Sequence, residues 1–210
     1  MVQVPARGVL FDRSWGGASP GAFWYVSSMG EAIETKRLRL RTMGPEFLRA
    51  SLDGDSKEAE RLIEAKLPES WPFERAVLTL RLSQLEAKPS REPWLTRVIE
   101  LRSERRIIGV IGFHGPPDGD WHPPGVVEFG YTVFSPWRRI GVAFEASEAL
   151  MSWAIHEGVR SFALSINPQN EPSKGLAQRL GFSMVGSHEH EERGTEHIYR
   201  MDVSAGDHRT

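Results

Sequence analysis

Glu128-Phe-Gly-Tyr-Thr-Val-Phe-Ser-Pro-Trp-Arg-Arg-Ile-Gly-Val-Ala143 is the stretch whose reading decides the fold. Val126–Phe134 is rich in β-branched and aromatic residues, which favour a strand. A short loop with two arginines and a glycine follows, and the pattern predicts a helix from about Arg139 to Glu157. The first turn of a helix leaves four backbone N–H groups without partners, and the aligned peptide dipoles add partial positive charge there. A diphosphate fits such a site. Gly141 lets a ligand approach the backbone closely, and Arg138 and Arg139 add charge. An ordinary strand–helix connection with solvated arginines would read the same way on this stretch alone.

Working outward, Val142, Ala146, Ala149, Leu150 and Trp153 fall on one face of that helix. Ser161–Ile166 reads as a strand, and Asn170–Leu180 as a helix with an Asn cap and a Gly181 stop. Phe182–Ser187 and His197–Val203 read as an antiparallel pair around a charged turn. Upstream, Arg37-Leu-Arg-Leu-Arg41 alternates with period two, the mark of a strand with one buried face. Pro45–Leu52 and Ser56–Leu67 suggest short helices, and Ser70–Ala87 a longer one with Pro72 in its first turn. Trp94–Arg102 and the apolar run Arg106–Phe113 suggest two more strands, the second central in a sheet. His114–Pro124 is a Gly/Pro/Asp loop. Together these elements describe one mixed-sheet α/β domain.

At 210 residues the chain has room for one large domain, or one domain with an arm. A net charge of −2 provides no global positive field for DNA or an anionic membrane. The absence of Cys removes disulfides, thiol nucleophiles and thiolate metal sites. Apolar runs fall far short of the ~20 residues needed to cross a bilayer. Asp12, Arg13 and Trp15 break any secretory apolar core, so a cytoplasmic protein is expected. Residues 1–33 are set apart by Gly and aromatics (Phe11, Trp15, Phe23, Trp24, Tyr25). They read as a structural arm that packs on its own domain or on a second subunit, with a homodimer favoured. The domain proper is expected over residues 34–204, with a tail at 205–210.

Four motifs in order resemble one family. Arg138-x-x-Gly141-x-Ala143 is similar to the diphosphate loop of the GNAT superfamily of acyl-CoA-dependent N-acyltransferases. Asn170-x-x-Ser173, followed by Leu180-Gly-Phe182, resembles the second motif of its ribosomal-protein N-terminal acetyltransferase-like (RimJ/RimL) branch. Glu34-Thr-Lys-Arg-Leu-Arg-Leu-Arg41 looks like that branch's first strand. The resemblance covers about residues 33–204. It implies a single mixed, mostly antiparallel sheet with splayed central strands, flanked by helices. It also implies acetyl-CoA as co-substrate and no metal. Pantetheine would lie in the gap beside the backbone of Tyr131, Thr132 and Val133. The diphosphate would sit on the amides of Arg139, Ile140, Gly141, Val142 and Ala143, with Arg138 alongside. Asn170 would contact the pantetheine arm.

The implied reaction is attack of a neutral primary amine, on a protein N-terminus or a small molecule, upon the thioester. An ammonium near pKa ~10.4 is neutral in about one molecule in 2,500 at pH 7, an α-amine near ~7.7–8.0 in about one in ten. The α-amine therefore asks roughly 3 kcal/mol less of a base. Glu128, at the family's Glu-x-Gly-Tyr position, is the candidate base, acting through water. Its alternative role is to orient Tyr131 or the loop. Ser173, or water, is the candidate proton donor to the leaving thiolate. Relatives outside the branch place a Tyr near that point, and no Tyr occurs between 132 and 198. A catalytically weak acyl-CoA-binding or sensor module on the same fold is the alternative reading.

Other signals carry less. Gly17-Ala-Ser-Pro-Gly21 matches a hydrolase nucleophile elbow in form, but Pro20 has no N–H to serve as the oxyanion donor. His188 and His190, with His197 across the turn, have metal-ligand spacing, against the plainer reading of a charged hairpin edge. His114 and His122 stand near strand ends where an acceptor would enter. Trp71, Trp94, Trp121 and Trp137 are candidates for an acceptor pocket, with core packing the default for the first two.

Overall fold

The alternating segment and the apolar runs assemble into one sheet. A computed structural model describes residues 32–118, 123–190 and 194–203. In chain order they form β1 (Ile33–Glu34), β2 (Leu38–Thr42), α1 (Pro45–Asp53), α2 (Ser56–Ile63) and α3 (Arg75–Ala87). Then come β3 (Thr96–Leu101), β4 (Arg106–Phe113), β5 (Val126–Val133), α4 (Val142–His156), β6 (Ser161–Ile166), α5 (Glu171–Arg179), β7 (Ser183–His190) and β8 (Gly194–Asp202). The sheet order is β1-β2-β3-β4-β5-β6-β8-β7. Every junction is antiparallel except β5–β6, which the α4 crossover makes parallel.

The core lies on both faces of this sheet. β4 is apolar almost throughout because Ile108, Ile111 and Phe113 pack with α4, whereas Ile107 and Val110 pack with α1–α3. The predicted face of α4 is buried: Val142, Ala146, Ala149, Leu150 and Trp153 all join the first cluster. Gly112 on β4 permits contact with β3, since a Cβ there would stand 2.4 Å from the Thr96 Cα.

Three helix boundaries differ from the sequence reading. α4 begins at Val142, not Arg139, because Arg139 (φ 63°) and Gly141 (φ 83°) both adopt left-handed backbone. α2 stops at Ile63, short of Leu67. Glu64 is left-handed (φ 51°), and Lys66 leaves the helix to bridge Arg106 on β4. α3 starts at Arg75, not Ser70. Trp71 is drawn into the core between Phe47 and Phe73 and donates its indole N–H to Ser51 Oγ at 2.9 Å. The closing strands run longer than expected, over Ser183–His190 and Gly194–Asp202. Ile33, the last residue of the expected arm, is part of β1 and buried. Residues 1–31 of that arm, with the Gly17–Gly21 match, and Trp121, His122 and the tail lie outside the described residues.

Candidate active site

The site starts with a break in pairing. β5 and β6 are joined at Val126↔Ser161, Val127↔Phe162 and Glu128↔Ala163 and not beyond, although β5 continues to Val133 and β6 to Ile166. The other edge of β5 stays paired to β4 through Val133↔Gly109. The strands therefore splay, and the backbone of Tyr131, Thr132 and Val133 borders a gap with no strand opposite it. Backbone groups that face such a gap are ready hydrogen-bonding partners for an extended ligand, except where a side chain already occupies them, as Arg138 does the Val133 carbonyl.

At the far end of β5 the loop carrying Arg138, Arg139, Ile140 and Gly141 is exposed. Gly141 is the N-cap of α4 and supplies no side-chain cap to the first-turn N–H groups, which include those of Val142 and Ala143. The loop is braced. Arg138 Nε donates to the Val133 carbonyl at 2.7 Å. Arg37, in the β1–β2 turn, donates through a terminal nitrogen to the Ile140 carbonyl at 3.0 Å. It also pairs through Nε with Glu145 of α4 at 2.6 Å. Thr35 Oγ1 donates to the other Glu145 oxygen. A Cβ on Gly141 would come 3.4 Å from the Arg37 guanidinium. Open first-turn donors, an unencumbered backbone and nearby cations match what a diphosphate needs. Sequence spacing does not reveal Arg37, because its partner Glu145 lies 108 residues away.

Across the gap, Asn170 caps α5. Its Oδ1 accepts from the Ser173 N–H at 3.2 Å, and its amide N–H₂ supplies donors for a ligand. Tyr131 Oη donates to Ser173 Oγ at 3.0 Å. Burial pushes the Tyr131 phenol above its ordinary pKa, and the bond to Ser173 opposes that only in part. The phenol therefore keeps its proton at neutral pH. The sequence reading placed Tyr131 here for its backbone alone. Its side chain supplies a phenol beside Ser173, although no Tyr follows until Tyr199.

The opposite face of β5 differs in chemistry. Phe129 and Val133 belong to the α4-side core and Tyr131 packs on it, so Glu128, Gly130 and Thr132 alternate to the other side. The Glu128 side chain is 10% exposed and stands at the last β5–β6 pair. His114 Nδ1 lies 3.7 Å from Glu128 Oε1, and the His114 backbone N–H donates to the Glu128 carbonyl at 2.9 Å. The buried Arg81 of α3 reaches the His114 carbonyl at 3.4 Å; burial lowers its pKa to about 10, which leaves it charged at neutral pH.

The remaining candidates fall elsewhere. Trp71 is core, and Trp94 packs on Trp153 with ring centroids 4.8 Å apart. Trp137 packs against the α4-side core. His188 faces Glu196 at 3.6 Å, and His197 lies in the ladder opposite Ser187 and Ile166. Among the described residues no group of three or more His, Asp and Glu converges, and no helix is long and apolar enough to cross a membrane.

Comparison with known proteins agrees with this geometry. The "Uncharacterized N-acetyltransferase YjdG" of Bacillus subtilis (strain 168) is 29% identical over 156 residues, covering 71% of this chain and 88% of the relative. Among solved structures, a RimL ribosomal L7/L12 alpha-N-protein acetyltransferase in complex with coenzyme A shares the fold with a TM-score of 0.58 at 18% identity. It covers 83% of this chain and 99% of its own. The ribosomal-protein-S5-alanine acetyltransferase of Vibrio fischeri does so with a TM-score of 0.58 at 16% identity, covering 83% and 97%. Residues 37–183 match the family described as Acetyltransferase (GNAT) domain. With that match over most of its length, on a splayed sheet with an open helix start, the chain belongs to the GNAT acetyltransferases and uses acetyl-CoA as co-substrate.

Proposed function

We propose that the protein moves an acetyl group from acetyl-CoA to a primary amine by direct attack within a ternary complex. The observation that carries this reading is the β5–β6 gap, with two hydroxyls on one side of β5 and a carboxylate on the other. The Tyr131–Val133 backbone and the Asn170 amide would hold the pantetheine arm. The amides of Arg139–Ala143, with Arg138, would hold the diphosphate. The thioester supplies the activated acetyl group.

Glu128 takes the amine's proton through water, and Ser173 returns a proton to the departing thiolate. Tyr131, hydrogen-bonded to Ser173 Oγ, is placed to stabilise or refill that hydroxyl. This supports an active enzyme over an idle acyl-CoA sensor, since the case for the sensor was the want of a Tyr near Ser173. A low-pKa α-amine is the favoured acceptor, because it requires less of the base. The named acceptors of the two ribosomal-protein acetyltransferases of like fold are consistent with a protein N-terminus. On sequence grounds we assign the enzyme to the cytoplasm, with the aromatic arm of residues 1–33 as a structural element that favours a homodimer.

Acetyl-CoA turnover with a panel of peptides and small amines tests the reading. Glu128→Gln is expected to lower turnover about 100-fold or more, as removal of a general base does, with acetyl-CoA affinity nearly unchanged. An unchanged rate at pH 7 would remove Glu128 from proton transfer.

A further inference from the structure

Coenzyme A carries three phosphates, and the loop before α4 accounts for two of them. We propose that Arg179, held against the Phe144 ring, binds the third, on the 3′ oxygen of the ribose. This rests on the diphosphate placement above and goes beyond it in assigning the nucleotide end.

Arg179 lies in the last turn of α5, the end away from the Asn170 cap. Its guanidinium carbon stands 3.7 Å from the centre of the Phe144 ring. Phe144, next in sequence to Ala143 in the first turn of α4, is half-buried and packs against the α4-side core. Side chains on a helix lean back toward its N-terminus, which carries this ring toward the Gly141 end. The ring is anchored by the core, so it holds in place a long, exposed side chain that would otherwise sample many rotamers. Less ordering then remains to be lost when an anion binds. A ring contact uses none of the guanidinium's N–H donors as a hydrogen bond would, and their planar fork suits phosphate oxygens.

Covalent geometry brings ligand and residue together. The ribose is bonded directly to the diphosphate, so a diphosphate on the amides of Arg139–Ala143 confines the nucleoside to the surface around the first turn of α4. Arg179 stands on the residue that follows those amides. In the loop itself Ile140 is 53% exposed, an apolar surface that an adenine would cover. The charges on this part of α4 sort the same way. Glu145 is taken by Arg37. Glu148 is half-buried; burial raises its pKa and the charge of Arg179 opposes the rise. A phosphate with up to two charges and three terminal oxygens competes well with that one carboxylate for Arg179.

The test is calorimetric titration of wild type, Arg179→Ala and Arg179→Gln with coenzyme A and with 3′-dephospho-coenzyme A, which differ only in this phosphate. Thermal unfolding without ligand checks that each variant keeps the fold. Wild type is expected to bind coenzyme A roughly fivefold to tenfold more tightly than the dephospho form, a preference that shrinks as salt rises. In both variants the preference should vanish, with affinity for the dephospho form as in wild type. Variants that keep the wild-type preference, or that lose affinity for both coenzymes equally, would make Arg179 a tie between α4 and α5 and overturn the assignment. A wild type indifferent to the 3′-phosphate would overturn it too, and each of these results leaves the acetyl-transfer reading standing. A wild type that binds neither coenzyme would overturn both.

Discussion

Two helices begin at the same gap, and their first turns are built in opposite ways. α5 starts at Asn170, whose side chain takes up the Ser173 N–H, and a proline near its first turn supplies no donor at all. α4 starts at Gly141 in left-handed backbone with no side-chain cap. A capped helix start has satisfied its own donors. An uncapped one leaves them for an anion, at some cost in stability when the anion is absent. The division of labour follows: α4 is suited to the diphosphate, and α5 to presenting Ser173 and the Asn170 amide to the reacting end.

The contrast is broken most strongly by Gly141→Val. A β-branched residue at φ 83° costs about 1–3 kcal/mol and puts side-chain atoms beside Arg37, so acetyl-CoA affinity should fall tenfold to a hundredfold. Calorimetric titration measures this directly. Asn170→Ala acts on the other helix. Loss of the cap should lower unfolding stability by about 1 kcal/mol in a denaturant titration, with little effect at the α4 loop.

Arg37→Ala sharpens the picture by removing a brace rather than a donor. Its pair with Glu145 is partly solvent-screened, so the stability loss should be below about 1 kcal/mol. Acetyl-CoA affinity should weaken a few-fold as the loop loosens, with the effect shrinking at high salt. The smallest effect concerns Tyr131. Its folded pKa lies above the unfolded value of about 10, so its contribution is fully present below pH 10 and is lost as pH rises through the folded value. Tyr131→Phe should remove that alkaline decline, and spectrophotometric titration should lose a phenol that titrates above the ordinary value.

Local patterns were the legible part of the sequence. The period-two run before Thr42, the apolar run of β4 and the single face of α4 each follow from side-chain direction, and each predicts an element the fold contains. Some helix boundaries were less legible. Trp71 and Glu64 terminate or delay helices through tertiary burial and left-handed backbone, neither of which local propensity encodes. In the site, the motif residues Arg138–Ala143 and Asn170–Ser173 were visible because they are contiguous. The Arg37–Glu145 brace, the Tyr131–Ser173 bond and the His114–Glu128 pair were not, because each joins segments that only the sheet register brings together.

The central claim is that the open start of α4, and not the capped start of α5, holds the phosphates. Titration of 3′-phospho-ADP, the part of coenzyme A without pantetheine, into wild type, Gly141→Val and Asn170→Ala tests it most directly. The account predicts binding to wild type and Asn170→Ala with equal affinity, and at least roughly tenfold weaker binding to Gly141→Val. Equal binding by Gly141→Val and wild type, or a loss confined to Asn170→Ala, would contradict it.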